Sequence, residues 1–80
     1  MDKAGILKTI NGIFTDVLDN DDIVLTDKTT AADVQDWDSL NHIQLIVAIE
    51  KKFKIKFSTT DIHQFKNVGD LVDAVEKKLS

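Results

Sequence analysis

The chain has 80 residues, 42% of them hydrophobic and 30% charged. That is enough for one soluble globular domain spanning residues 1–80, but it leaves no room for an enzyme's cleft. A formal net charge of −4 and a pI near 4.9 disfavour nucleic acid or an anionic bilayer as partner, because both reward a basic surface. Cysteine is absent, which excludes a disulfide framework and any thiolate metal site.

From Asp2 onward, Ile6, Leu7, Ile10, Ile13, Phe14, Val17 and Leu18 recur at spacings of three and four, which predicts an amphipathic first helix. Gly5 and Gly12 weaken that helix by their backbone freedom, so close backbone approach is the expected reason for Gly12. Residues 19–38 form a long connection rich in Asp and Thr, to be anchored by Ile23, Leu25, Val34 and Trp37, with a short helical turn near Thr30 to Val34. Its opening Asp19-Asn20-Asp21-Asp22 resembles the start of a calcium loop. The pattern then fails at Ile23, Val24 and Thr30, where an oxygen ligand, a glycine and a glutamate are needed, so a solvated acidic turn is expected and no metal site.

Asp38 is a good N-cap, and the segment Ser39 to Phe53 contains neither Gly nor Pro, so the longest apolar helix should begin at Ser39. At about 100° per residue, His42, Leu45, Ile46, Ile49 and Phe53 fall on one arc of this helix, and Leu40, Ile43 and Val47 on a second. One small core needs one stripe, which leaves the second for another element or a partner. Next, KIKFS alternates Lys54 and Lys56 with Ile55 and Phe57, as an extended segment tucking two apolar groups inward. Ser58 and Asp61 have the spacing of a capping box, predicting a brief third helix from about Thr59 to Phe65 with Ile62 and Phe65 inward. Asn67 should cap a last helix with Val68, Leu71, Val72, Val75 and Leu79 on one face. The expected fold is all-α, a four-helix bundle of three main helices and one short third helix, with a long loop between the first two.

Asp38-Ser39-Leu40, halfway along a short acidic chain and followed by an apolar helix ending in Phe53, resembles the acyl carrier protein family over nearly the whole length. The resemblance implies that Ser39 bears 4'-phosphopantetheine donated by coenzyme A, with Asp38 and Leu40 as motif neighbours, and that the arm's thiol holds an acyl group as a thioester. It implies no catalysis by the chain itself. The partners it implies are a phosphopantetheinyl transferase and separate acyl-loading and acyl-processing enzymes of fatty-acid, polyketide or related biosynthesis, met through Leu40, Ile43, Gln44, Val47 and Lys51.

The chain departs from housekeeping carriers of fatty-acid synthesis, whose second helix is strongly acidic. Here that surface has Asn41, Gln44, Lys51 and Lys52, with Glu50 the one acid in the helix body, which points to a specialised carrier. A stand-alone peptidyl or aminoacyl carrier of a nonribosomal pathway and an unmodified helical interaction domain are the alternatives. Ser39, His42 and Asp38 have the residue types of a hydrolase triad but lack nucleophile-elbow glycines, so His42 is expected as a packed histidine and His63 as surface. The longest uninterrupted apolar run, Leu45 to Ile49, is too short to cross a bilayer, and MDKAG does not resemble a signal peptide, so a cytoplasmic monomer without stable membrane insertion is expected.

Overall fold

The computed structural model describes residues 2–34 and 36–79. Four helices follow in order: α1 (Lys3–Leu18), α2 (Ser39–Phe53), α3 (Thr59–Gln64) and α4 (Val68–Leu79). Each start carries a side-chain cap where the sequence places one. Asp2 accepts from the Gly5 N–H, Asp38 from Asn41 and Asn67 from Asp70, each filling a donor that the first helical turn leaves without a carbonyl. Ser58 and Asp61 form a reciprocal capping box at α3. Donation by the Ser58 backbone N–H, then by its hydroxyl, holds the Asp61 carboxyl below the ordinary carboxylate range.

α1 packs against both α2 and α4. Ile6, Ile10 and Phe14 from α1, Leu45, Ile46 and Ile49 from α2, and Val68, Leu71 and Val75 from α4 form the fully buried centre of one hydrophobic cluster. Leu7, Ile13, Val17 and Phe53 pack around its edge. Leu79 departs from expectation: it sits in the last turn of α4 and remains 42% exposed, so the buried face of α4 ends at Val75.

The long connection is pinned at both sides, which is how so short a domain tolerates it. Ile23, Leu25, Val34 and Trp37 are all buried, as their spacing in the loop implies. Asn11 of α1 holds the loop with both ends of its amide, donating to the Ile23 carbonyl at 3.1 Å and accepting from the Leu25 N–H at 2.7 Å. Further on, the Val68 and Gly69 N–H groups, two of the unpaired donors at the start of α4, donate to the carbonyls of Thr29 and Asp27. Thr30 and Asn67 make an isolated antiparallel bridge beside them. The turn expected near Thr30 to Val34 is present, closed by the Asp33 N–H on the Thr30 carbonyl.

That docking corrects the reading of the glycines. Gly12 is exposed on the side of α1 away from its buried Ile10 and Phe14, and a Cβ there would meet nothing within 4 Å. Gly69 is the close approach: a Cβ would lie 2.7 Å from the Asp27 carbonyl oxygen, in backbone that is itself hydrogen-bonded to Gly69. Gly12→Ala is therefore expected to stabilise the fold by about 0.5–1 kcal/mol, by lowering the entropy of the unfolded chain. Gly69→Ala should destabilise by about 1–3 kcal/mol, because loop or helix has to shift. Paired urea melts check both signs.

Candidate functional site

The site is built where the loop hands over to α2. Trp37 closes the loop, with its indole buried, standing edge-on to Phe14 at 5.0 Å between ring centroids and stacked on His42 at 5.9 Å. Its Nε1–H donates to His42 Nδ1 at 2.9 Å. Since Nδ1 accepts, the neutral imidazole keeps its proton on Nε2. Asp38 follows in extended backbone and turns its carboxylate onto the Asn41 N–H at 2.8 Å, while the Asn41 side chain donates to the Asp36 carbonyl at 2.7 Å. The α2 start is thus held by three side-chain bonds on consecutive parts of the handover.

Ser39 is the first helical residue and is exposed, and its hydroxyl makes no hydrogen bond to any described residue. Around it the N-terminal N–H groups and the helix dipole favour a negative charge. The triad residue types do not come together for hydrolysis: the His42 nitrogen facing inward is occupied by Trp37, and the Asp38 carboxylate by the helix backbone. His42 is the half-buried, packed histidine expected.

An open cleft of about 440 Å³ lies beside Ser39, between α2 and the α3 region. Ile43, Ile62 and Phe65 give it an apolar wall, and His63 and Lys66 stand on its polar side. His63 is exposed, as expected, yet it belongs to this cleft, which no local signal reveals because α3 reaches α2 only in the folded chain.

From the edge of the cleft at Ile43 outward, Leu40, Ile43 and Val47 are 70%, 52% and 41% exposed, so the second stripe of α2 is buried by no other described element. Gln44 and Lys51 are exposed alongside it. Lys51 and Lys52 face different ways: Lys51 shares a surface recess with Val47, whereas Lys52 lines one with Lys8 and Asp16 of α1. Glu50 turns its carboxylate to the Phe57 N–H at 2.8 Å. No cluster of His, Asp or Glu among the described residues could hold a metal ion, and no described helix is long and apolar enough to cross a membrane.

Comparison with known proteins agrees with this geometry. The family model described as "Phosphopantetheine attachment site" matches residues 8–75. An acyl carrier protein of Thermotoga maritima is 30% identical over 77 residues, covering 96% of this chain and 95% of its own. One of Phytoplasma australiense is 32% identical over 75 residues, covering 94% and 99%. The solution structure of a holo acyl carrier protein from Geobacter metallireducens superposes with a TM-score of 0.87 at 50% identity, covering 92% of this chain and 85% of that one. With the family model matching most of its length and relatives matching end to end, the chain belongs to the phosphopantetheine-attachment family of acyl carrier proteins.

Proposed function

We propose that Ser39 is the residue that carries 4'-phosphopantetheine, with Asp38 and Leu40 as its motif neighbours. The observation that carries this reading is the unbonded, exposed hydroxyl of Ser39 on the first turn of α2. The site fits the group. In a transferase's active site the exposed hydroxyl would attack the pantetheine-side phosphorus of coenzyme A, giving up its proton as the diphosphate bond breaks and adenosine 3',5'-bisphosphate leaves; the helix N-terminus favours the new phosphodiester, and the adjoining cleft would offer the arm an apolar wall in Ile43, Ile62 and Phe65.

A carrier protein of this family is not an enzyme, and the chemistry supplied by the bound group is a terminal thiol that holds an acyl chain as a thioester. The chain's own residues present that thiol. Asp38 and the Trp37–His42 pair keep the first turn of α2 in place, so the arm leaves from a fixed point. Leu40, Ile43, Gln44, Val47 and Lys51 form the surface beside that point, and we assign them to contact with the phosphopantetheinyl transferase and with separate acyl-loading and acyl-processing enzymes. Residues 1–80 act as a single carrier domain, monomeric and cytoplasmic, in a dedicated pathway instead of housekeeping fatty-acid synthesis.

The test is intact mass after incubation with coenzyme A and a phosphopantetheinyl transferase: gain of one phosphopantetheine supports the reading, and no gain overturns it. Loading of the resulting protein with acyl against aminoacyl donors then separates an acyl carrier from a nonribosomal one.

A further inference from the structure

The exposed stripe of α2 does not stop at Val47. One helical turn on, Val47, Lys51, Lys54, Ile55 and Lys56 border one shallow recess at the end of the helix. Lys51, Lys54 and Lys56 are all exposed, and none makes an ion pair with a described residue. The one carboxylate at this recess, Glu50, is spent on the chain's own backbone through the Phe57 N–H.

The lysines are also held in a defined turn. Lys54 takes left-handed backbone at φ 58°, its N–H donates to the Glu50 carbonyl, and the Ile55 N–H donates to the same oxygen at 3.0 Å. Such a closure fixes the direction in which the chain leaves the helix. Positive charge is therefore displayed at a set place, at the far end of the apolar stripe from Ser39, in a chain whose net charge is −4.

We propose that the α2 face from Leu40 through Ile43 and Val47, continued by Lys51, Lys54 and Lys56, docks a partner protein whose contact surface carries clustered carboxylates beside an apolar patch. The inference rests on the carrier reading and adds to it the chemistry of the partner. Charge complementarity selects an acidic surface: a basic one would meet three lysines without ion pairs against the single carboxylate of Glu50, and like charges brought together across an interface are costly. From Leu40 to Lys54 the helix runs about 21 Å, a length that suits one side of a specific protein contact. Three lysines fall short of the four to eight that mark an anionic lipid surface, and the acidic remainder of the chain opposes a bilayer.

The test is a titration of isotope-labelled holo protein, its arm confirmed by intact mass, with a synthetic amphipathic helical peptide bearing Leu on one face and Glu along both flanks. Its counterpart with Lys in place of Glu and phosphatidylglycerol vesicles form the other arms. Amide shifts confined to residues 40–56, weakening with salt, are expected for the acidic peptide. The triple variant Lys51→Glu, Lys54→Glu, Lys56→Glu should bind that peptide about tenfold more weakly, and Lys51→Gln, Lys54→Gln, Lys56→Gln should fall between. Thermal melts confirm that both variants remain folded. Equal binding of the basic peptide, shifts mapping elsewhere, or vesicle binding at physiological salt through the same lysines overturns the proposal. A protein that never gains the arm defeats the carrier reading, whereas one that gains it yet ignores the acidic peptide defeats the docking surface alone.

Discussion

Ser39→Ala is expected to abolish arm attachment completely while leaving the helical fold in place. The loss should be total because no other described serine is equivalent: the Ser58 hydroxyl accepts the Asp61 N–H inside a capping box, on a helix of six residues. Stability should barely change. Asp38, and not Ser39, supplies the cap of α2, and the Ser39 hydroxyl has no partner to lose. Intact mass after treatment with coenzyme A and a transferase reads the first effect, and helical circular dichroism with a urea melt reads the second. A mass gain on the variant would remove Ser39 from its assigned role.

The other large effect separates the two stripes of α2. Leu45→Ala and Ile49→Ala should each cost about 2–5 kcal/mol, since both side chains are essentially without solvent contact and truncation adds a cavity to the lost burial. That is a large fraction of what a domain of this size has to lose. Phe53, partly buried at the edge of the cluster, should cost less. Ile43→Ala and Val47→Ala remove groups already half in water and should change folding by well under these amounts, while slowing the transferase, because on the proposed reading exposed apolar groups beside Ser39 would anchor that contact. Urea melts and transferase kinetics on the same variants decide it. Equal destabilisation by both sets, with unchanged kinetics, would mean that the second stripe is buried.

What was legible in the residues was mostly local. The Asp38 cap, the Ser58–Asp61 box and the spacings of apolar residues depend on neighbours within one or two turns, and each appears where the sequence puts it except at Leu79, in the last turn of α4. The loop anchors were legible too: in Ile23-Val24-Leu25 the extended chain sends alternate side chains to opposite sides, so Ile23 and Leu25 are buried while Val24 stays 81% exposed. What escaped depends on partners far along the chain. Asn11 reads as an ordinary helical polar residue, yet it clamps a loop more than ten positions away. Nothing beside Gly69 announces the Asp27 carbonyl, and the closeness assigned to Gly12 belongs to it. Lys51 and Lys52 looked like one charge pair until the helix turned them onto different sides.

Trp37 gives the protein an optical property of its own. It is the one tryptophan in a chain without tyrosine, so emission excited at the red edge of protein absorption comes from a single indole. That ring is in contact with Phe14 of α1 and His42 of α2, and its N–H donates to the His42 imidazole. Its colour and yield therefore report the junction two positions before Ser39. If the arm is attached at Ser39 as proposed, its arrival can be looked for in that emission in solution, without a label.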